Sequence, residues 1–288
     1  MEYRQLTQSD IEDCIDVYYE ADEALTAGLN LAINPRNPAA MRLIFEHVSS
    51  TTPQRAWVAA DGNGIQGFGM AAEREHMTFL AFLFVRPGAQ AAGAGAALYA
   101  RCMPSSGYRG TCIWSVQPIA AALYALNGLV PRVPIYTLLG RPRHRLAKLP
   151  SSVSLTDVKP DEIDALDREV VGFTRRADHE AWRQWARVPY ALRARDGGLA
   201  GYGYAQAAGR LGPMVVREAG HLLPLIGSLM EAVEAVEGWQ IHVPGAAAEP
   251  FAALLRAGMR LDGPPIVYCA TEPGIDHSRY VPATFALP

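Results

Sequence analysis

The order of apolar and polar positions predicts a chain in which short strands alternate with amphipathic helices. Strands are expected where apolar residues alternate with polar ones, or form short runs bounded by turn residues. The longest such run, at residues 77–85, is almost entirely apolar, which is typical of a strand buried on both faces. In the first half, strands are predicted at residues 3–6, 55–60, 65–72, 77–85, 111–116 and 135–139, and helices after Ser9, after Gly93 and from Ile119 to Asn127.

The second half repeats this plan over a shorter length. Strands are predicted at residues 190–195, 199–206, 211–216, 240–243 and 266–270, and helices at residues 161–170, 179–186, 222–233 and 247–257. Val85 precedes Leu98 by the same interval as Val216 precedes Leu229. A repeated strand–helix–strand–helix unit indicates two tandem domains, residues 1–147 and 148–288. The basic stretch at residues 141–150, interrupted by prolines, is the expected linker.

The segment that follows the long apolar strand has the composition of an anion-binding turn. It reads Gln90, Ala91, Ala92, Gly93, Ala94, Gly95 and Ala96 at the predicted start of a helix. Main-chain N–H groups at a helix N-terminus lack partners and carry partial positive charge, and small residues let a phosphate approach them. The same small residues would also permit close packing of helix on strand, so the spacing alone leaves both interpretations open.

Two other phosphate-binding motifs do not fit this turn. A Walker loop needs Gly-Lys-Ser/Thr, and the first half of the chain holds no lysine. A dinucleotide fingerprint needs a small residue at its third fixed position, which Leu98 occupies here.

In its context the turn resembles that of a known family. Gln90-Ala-Ala-Gly93-Ala-Gly95, placed after Leu83-Phe-Val85, is similar to the acetyl-CoA-binding signature Gln/Arg-x-x-Gly-x-Gly/Ala of the GCN5-related N-acetyltransferases (GNAT), and Leu123-Tyr124-Ala-Leu-Asn-Gly128 resembles the family's Leu-Tyr-x-x-x-Gly-Phe block. The resemblance implies two tandem acyl-CoA N-acyltransferase folds, each an α/β (mixed α+β) domain with a mostly antiparallel sheet. It also implies that acetyl-CoA is the co-substrate and that an amine attacks the thioester directly. Separately, the seven histidines form no HxH or HExxH pair, so no catalytic metal is expected.

The resemblance further implies a role for each matched residue. The amides of Gln90, Ala91, Ala92, Gly93, Ala94, Gly95 and Ala96 would hold the pyrophosphate of coenzyme A. The backbone of Leu83, Phe84 and Val85 would pair with the pantetheine arm, and one splayed amide there would polarise the thioester carbonyl. Tyr124 would protonate the departing thiolate.

The position of Tyr124 on its helix is compatible with that role. It lies about 150° around the helix from the predicted apolar stripe of Ile119, Ala122, Leu123 and Leu126. A phenol is protonated at neutral pH and can donate to a thiolate. A tyrosine half-covered by a neighbouring helix is the alternative interpretation. The general base is not identified: Glu73, Glu75 and His76 precede the long strand, and water could relay the amine proton instead.

The second half has lost the residues that carry this chemistry. When Val216 is aligned with Val85, His221, Pro224 and Ile226 fall at the positions of Gln90, Gly93 and Gly95. When Gly258 is aligned with Gly128, Leu254 falls at the position of Tyr124. Proline offers no N–H, and a branched side chain would hinder the approach of a phosphate. The second domain is therefore predicted to be a degenerate GNAT-like domain.

Composition narrows the classes of protein. The chain has 288 residues, 50% of them hydrophobic, which is enough for a sizeable core. Its net charge of −3 gives no sign of the basic face of a nucleic-acid binder. Its apolar runs are too short for a membrane span, its first residues are too polar for a signal peptide, and its four cysteines lack metal-ligand spacing. We expect a cytoplasmic protein whose partner is a small-molecule or peptide amine, with no nucleic acid and no membrane, and a homodimer is left open.

Two alternatives belong to other classes of function. A non-catalytic, coenzyme A-responsive binding or regulatory protein would keep the cofactor site without the transfer chemistry. A nucleotide-binding oxidoreductase would bind NAD(P) instead of coenzyme A. Release of free thiol in the presence of amines separates the first alternative from a transferase, and cofactor binding separates the second.

Overall fold

The chain divides into two compact units. The computed structural model describes residues 1–288 except 32–34, 91–92, 104–108, 114–116, 152, 159 and 273. One unit comprises Met1–Val130 with Ala270–Glu272, and the other comprises Pro131–Cys269 with Pro273–Pro288. The division falls before the predicted boundary at residue 147, because the strand predicted at 135–139 pairs with a strand of the second unit. The predicted linker at residues 141–150 accordingly lies within the second unit.

The first unit alternates strands and helices as the sequence pattern predicts, with one helix added. Its strands are β1 (Glu2–Gln5), β2 (Ala56–Asp61), β3 (Gly64–Arg74), β4 (Met77–Val85) and β5 (Arg109–Ile113), and its helices are α1 (Ile11–Gly28), α2 (Pro38–Thr51), α3 (Ala94–Cys102) and α4 (Pro118–Leu126). Helix α2 was not predicted, although its start carries a signal: Asn37 accepts a hydrogen bond from the Ala40 N–H over 3.1 Å, and Pro38 follows the cap.

The sheet of the first unit is antiparallel up to its last strand. Its order is β1-β2-β3-β4-β5, and only β5 runs parallel to its neighbour β4. The β2–β3 hairpin closes where the Asp-Gly-Asn-Gly sequence predicts, and Asp61 Oδ1 accepts the Asn63 N–H over 2.8 Å. The segment Ala270–Glu272 joins this unit beside β5, where the Thr271 N–H and Oγ1–H both donate to the Gly110 carbonyl over 3.0 Å.

Aromatic side chains fix α1 and α2 on one face of this sheet. The Tyr18 ring on α1 meets Phe84 edge-on with a centroid separation of 5.0 Å, and the Phe45 ring on α2 lies 4.5 Å from Phe82. Phe45 and Phe68 are fully buried. Truncating one such ring to alanine typically costs 3–5 kcal/mol, so we expect this cluster to hold the helices firmly against β4.

The second unit contains two groups of strands. Its strands are β6 (Val130–Gly140), β7 (Val153–Thr156), β8 (Val188–Ala194), β9 (Leu199–Ala205), β10 (Leu211–Val216), β11 (Trp239–Pro244), β12 (Arg260–Leu261), β13 (Ile266–Ala270) and β14 (Tyr280–Val281), and its helices are α5 (Ile163–Val170), α6 (Arg176–Gln184), α7 (Leu222–Ala232) and α8 (Ala248–Arg256). One group is the antiparallel sheet β14-β10-β9-β8-β7. In the other group, β6 pairs with β11 and β12, and adjoins β13.

A buried charged network lies inside the second unit. Arg175 and Asp167 have no exposed side-chain surface, and Arg175 Nη2 donates to Asp167 Oδ1 over 2.8 Å. His179 Nε2 lies 3.0 Å from the other carboxylate oxygen, and Tyr202 donates to Asp167 as well. Burial alone would raise the pKa of Asp167, but attraction to Arg175 and the bond with His179 outweigh it and lower that pKa to about 2. Because every group of this buried ion pair is bonded, removing one of the two partners would strongly destabilise the fold.

Candidate functional site

The described pairing between β4 and β5 ends part of the way along β4. The two strands pair in parallel from Met77 opposite Arg109 to Leu80 opposite Cys112, and the described ladder ends there. Along β4 the residues up to Phe82 are buried, and the last three are half-buried. In the described ladders, the outer edge of β4 after Leu80 therefore has no strand partner. This edge, which we call the opening, contains the strand residues predicted to pair with a pantetheine arm.

A β-bulge marks the start of this opening. Leu80 pairs with Ala71 and Phe82 pairs with Met70, so Ala81 is an extra residue without a partner on β3. The described pairing with β5 has ended by this point. In the described ladders, Ala81 is thus unpaired on both sides of β4, and bulges of this kind reorient the local amides.

The turn after β4 is closed by its own polar groups. Gln90 Nε2 donates to the Val85 carbonyl over 3.0 Å, and the Gln90 N–H donates to Pro87 O over 3.4 Å. Arg86 Nε donates to Ile65 O over 2.9 Å, and its guanidinium forms an ion pair with Glu20 on α1. The side chain of Gln90 therefore shapes the turn. Its N–H already has a bond to Pro87 O, so this amide is less available to a pyrophosphate than the sequence predicts.

The start of α3 leaves the turn open to solvent. Gly93 precedes the helix with φ of 81°, a left-handed conformation, and a Cβ added there would meet nothing within 4 Å. In the described residues the N–H groups of Ala94, Gly95 and Ala96 have no acceptor, as expected in the first turn of a helix. Ala91 and Ala92, also predicted to bind the pyrophosphate, lie outside the described residues.

A cleft of about 280 Å³ lies beside this turn. Its wall combines the end of α1, the turn after β4 and the N-cap of α4. The lining residues are Ala21, Ala24, Leu25, Gly28, Leu29, Pro87, Gln90 and Gln117. Of the predicted site residues that the structure describes, only Gln90 lines this cleft. The contribution of α1 was missed, although its small residues Ala21, Ala24 and Gly28 recur on one helix face and leave room for a ligand.

Tyr124 faces the protein interior, which reverses the predicted orientation of α4. Tyr124 is 5% exposed and its ring centroid lies 6.2 Å from that of Tyr99 on α3. Leu126, predicted to belong to the buried stripe, is 86% exposed, and Ala122 is exposed as well. The stripe prediction was wrong because nearly every residue of this short helix is apolar, so periodicity does not distinguish its faces. Tyr124 is not among the residues that line the cleft.

The three base candidates lie at the far end of β4. Glu73 is bonded on both carboxylate oxygens, to Arg55 Nε over 2.7 Å and to Gln54 Nε2 over 2.6 Å. The hairpin that holds Glu75 and His76 precedes Ala81 by about 16 Å of strand. None of the three is placed near the opening, so a dedicated base is not identified by the described residues.

The described cysteines are buried thiols. Cys14, Cys102 and Cys269 are free, and burial raises the pKa of Cys102 to about 12 and that of Cys269 to about 11. Thiols of this kind are poor nucleophiles at neutral pH. Among the described residues, no group of three or more His, Cys, Asp or Glu side chains is arranged to hold a metal ion. None of the described helices combines the length and apolar character that a bilayer crossing requires.

The second unit lacks a turn like the one between β4 and α3. Arg86 is followed by residues 87–93 before α3 begins, whereas Arg217 is followed only by residues 218–221 before α7 begins at Leu222. The shorter loop shifts the helix, so aligning Pro224 and Ile226 with Gly93 and Gly95 was wrong. The N-cap that corresponds to Gly93 is His221, which has ordinary right-handed backbone angles.

A second cleft, of about 450 Å³, lies next to this loop. It is lined by acidic Asp196 and Glu218 as well as by Arg217 and His221. Arg217 is already paired with Glu169 over 2.8 Å. Two carboxylates beside an occupied arginine would repel a diphosphate rather than bind it.

Comparison with known proteins identifies the fold. No family model and no curated protein matches the sequence. A candidate acetyltransferase from Pyrococcus horikoshii has a similar structure, with 16% identity and a TM-score of 0.77 over 100% of this chain and 95% of that one. A GCN5-related N-acetyltransferase from Sphaerobacter thermophilus matches with 15% identity and a TM-score of 0.62, covering 96% of this chain and 98% of that one.

A tandem GNAT protein from the clavulanic acid biosynthesis pathway is also similar, with 19% identity and a TM-score of 0.55, covering 95% of this chain and 99% of that one. The chain therefore has the GNAT fold. The predicted fold class, tandem mixed α/β folds with mostly antiparallel sheets, is confirmed.

Proposed function

We propose that this protein is an N-acyltransferase whose first unit binds acetyl-CoA and transfers the acetyl group to an amine. The observation that carries the proposal is the opening between β4 and β5, which begins at the unpaired Ala81 and leads to the free amides at the start of α3. A sheet opened in its middle exposes backbone groups that need hydrogen-bond partners. An extended amide-containing arm ending in a diphosphate supplies such partners along the whole path.

The proposed ligand contacts follow the order of the chain. The diphosphate binds at the amides of Ala94, Gly95 and Ala96, where the positive end of the helix dipole favours an anion. The pantetheine arm extends along Leu83–Val85. The thioester then reaches the bulge at Ala81, where an unpaired amide polarises its carbonyl oxygen and stabilises the negative charge that develops there.

In the reaction a neutral amine attacks the thioester carbonyl. The new C–N bond forms, the C–S bond breaks, and coenzyme A leaves as a thiolate that takes a proton from Tyr124. The amine loses one proton to water, and Tyr124 regains one from solvent. Tyr124 lies about 10 Å along α4 from Gln117, which borders the cleft. That separation is comparable with the roughly 13 Å of β4 between Ala81 and Val85.

The test is release of free thiol from acetyl-CoA in the presence of a panel of primary amines, which includes small amines, amino acids and peptides. A transferase releases one thiol for each amine that becomes acetylated, and mass spectrometry of the product identifies the acceptor. Saturable binding of acetyl-CoA together with no acetylated product from any amine would contradict transfer.

That outcome would favour a coenzyme A-responsive binding or regulatory protein. One observation favours this second candidate: both oxygens of Glu73 are engaged, and no carboxylate or histidine is among the described residues that line the cleft. Water can accept the amine proton, so the observation does not by itself remove the transferase.

A further inference from the structure

Strands β9 and β10 of the second unit repeat β3 and β4 of the first in detail. Gly67 pairs with Val85, and Gly201 pairs with Val216. At both glycines an added Cβ would lie 2.9 Å from a main-chain oxygen of the partner strand. β10 is thus the counterpart of β4, and its last residues are the counterpart of the opening proposed to bind the pantetheine arm.

In the second unit this edge is occupied by the chain itself. β14 pairs antiparallel with Met214 and Val215, and the Val216 N–H donates to the Arg279 carbonyl over 3.0 Å. The corresponding residues of β4 are Leu83–Val85, whose outer edge has no partner in the described ladders. A backbone segment therefore takes up the hydrogen bonds that the first unit leaves available.

Two buried arginines hold this segment in place. Arg175 Nη1 donates to the Pro288 carbonyl oxygen over 2.7 Å, and Arg187 Nη2 donates to the Ala283 carbonyl over 3.2 Å. Arg175 is itself fixed by its ion pair with Asp167. Both residues of β14 are fully buried. The segment is consequently an integral part of the second unit and not a loosely held cover.

We propose that residues 279–281 fill, in the second unit, the slot that the pantetheine arm of an acyl-CoA occupies in the first. The second unit is then a transferase fold closed by its own backbone, and the chain has a single acyl-CoA site. The identification of this ligand as an acyl-CoA rests on the proposed function of the first unit. The shortened loop before α7 supports the same conclusion, because it lacks the open turn that surrounds Gly93.

The stoichiometry of coenzyme A binding to the full chain tests this inference. Native mass spectrometry and calorimetry are expected to give one coenzyme A per chain, and the affinity of that single site is expected to fall in the Gly93→Asp variant, which alters only the first unit. A second bound equivalent, or a single equivalent whose affinity is unchanged in Gly93→Asp, would overturn the inference. Absence of any binding to the unaltered chain would instead overturn the proposed function.

Hydrogen–deuterium exchange of the free protein tests the inference without a ligand. Amides of Met214–Val216 are expected to exchange at least about tenfold more slowly than those of Leu83–Val85, because β14 covers the former edge. Added coenzyme A should protect Leu83–Val85 and leave Met214–Val216 unchanged. Equally fast exchange of the two segments in the free protein would show that β14 does not close the slot, whatever the outcome of the binding experiment.

Discussion

Gly93 is a position where one negative charge can be added to the candidate phosphate site with little change of shape. Its φ of 81° is left-handed, and an added Cβ would meet no atom within 4 Å. Asparagine and aspartate tolerate this conformation better than other side chains. Gly93→Asn and Gly93→Asp therefore share the same steric and conformational cost and differ by one charge.

The expected difference in affinity between the two variants follows from the distance between the added carboxylate and the bound diphosphate. A carboxylate at position 93 would lie about 5 Å from a diphosphate bound to the amides of Ala94–Ala96, which gives about 3 kcal/mol of repulsion at an effective dielectric constant of about 20. Because Gly93 is exposed, solvent and salt reduce this by about half. We expect Gly93→Asp to bind coenzyme A roughly tenfold more weakly than Gly93→Asn.

Isothermal calorimetry with coenzyme A, at low and at high salt, measures this difference. The ratio of the two dissociation constants should shrink as salt rises, because an exposed charge is screened. Equal melting temperatures of the two variants serve as the control for folding. If both variants bind coenzyme A equally well at low salt, the diphosphate does not lie at the start of α3 and the proposed site is wrong.

Three further predictions concern the mechanism and the two folds. Tyr124→Phe should lower turnover by about 100-fold with little change in the dissociation constant for coenzyme A, and steady-state kinetics showing normal turnover would remove Tyr124 from the mechanism. Gly67→Ala should cost about 2 kcal/mol of folding free energy, because its Cβ would lie 2.9 Å from Phe84 O, whereas Gly62→Ala, with open space around it, should melt like the unaltered protein. Burial lowers the pKa of His277 to about 4, although the bond from its Nδ1–H to Ile275 O opposes this shift, and Nε2 has no partner among the described residues. The second unit should therefore lose about 2 kcal/mol of stability between pH 7 and pH 5, as the unfolded state takes up a proton that the folded state resists. Urea unfolding of His277→Phe should show a correspondingly smaller loss, and an unchanged pH dependence would contradict this assignment.

Most of the features that could be predicted from the sequence depend on local patterns of residues. The strand expected at residues 77–85 has those bounds in the structure, and the hairpin at Asp61 forms where its turn residues indicate. Both features depend on residues close in the chain, where period and turn chemistry act directly. The turn between Val85 and Ala94 was found for the same reason, since small residues after a buried strand constrain the local backbone.

Features that depend on distant partners could not be predicted in this way. The strand expected at residues 135–139 belongs to the second unit because it pairs with β11, about a hundred residues further along the chain. β14 has two residues, too few to show any period, and the chain that follows it is bonded to the buried Arg175 and Arg187, which lie just before α6 and β8. The face of α4 was assigned wrongly because the residues around Tyr124 are almost uniformly apolar, whereas in the structure Tyr124 packs on Tyr99.

The outer edges of β4 and β10, which correspond to each other, explain why two similar units would differ in function. Backbone N–H and C=O groups in the middle of a folded sheet need partners, and an edge left open there is costly unless a ligand or solvent satisfies it. In β4 the described pairing with β5 ends at Leu80 and the last three residues are half-buried, so a ligand could supply the missing partners. In β10 the segment around Tyr280 supplies them permanently. If an acyl-CoA uses the edge of β4 as proposed, a single edge cannot hold both a ligand and a strand. Gain of the edge strand β14 and loss of the cofactor site would then be one structural change, and the transfer chemistry would be confined to the first unit.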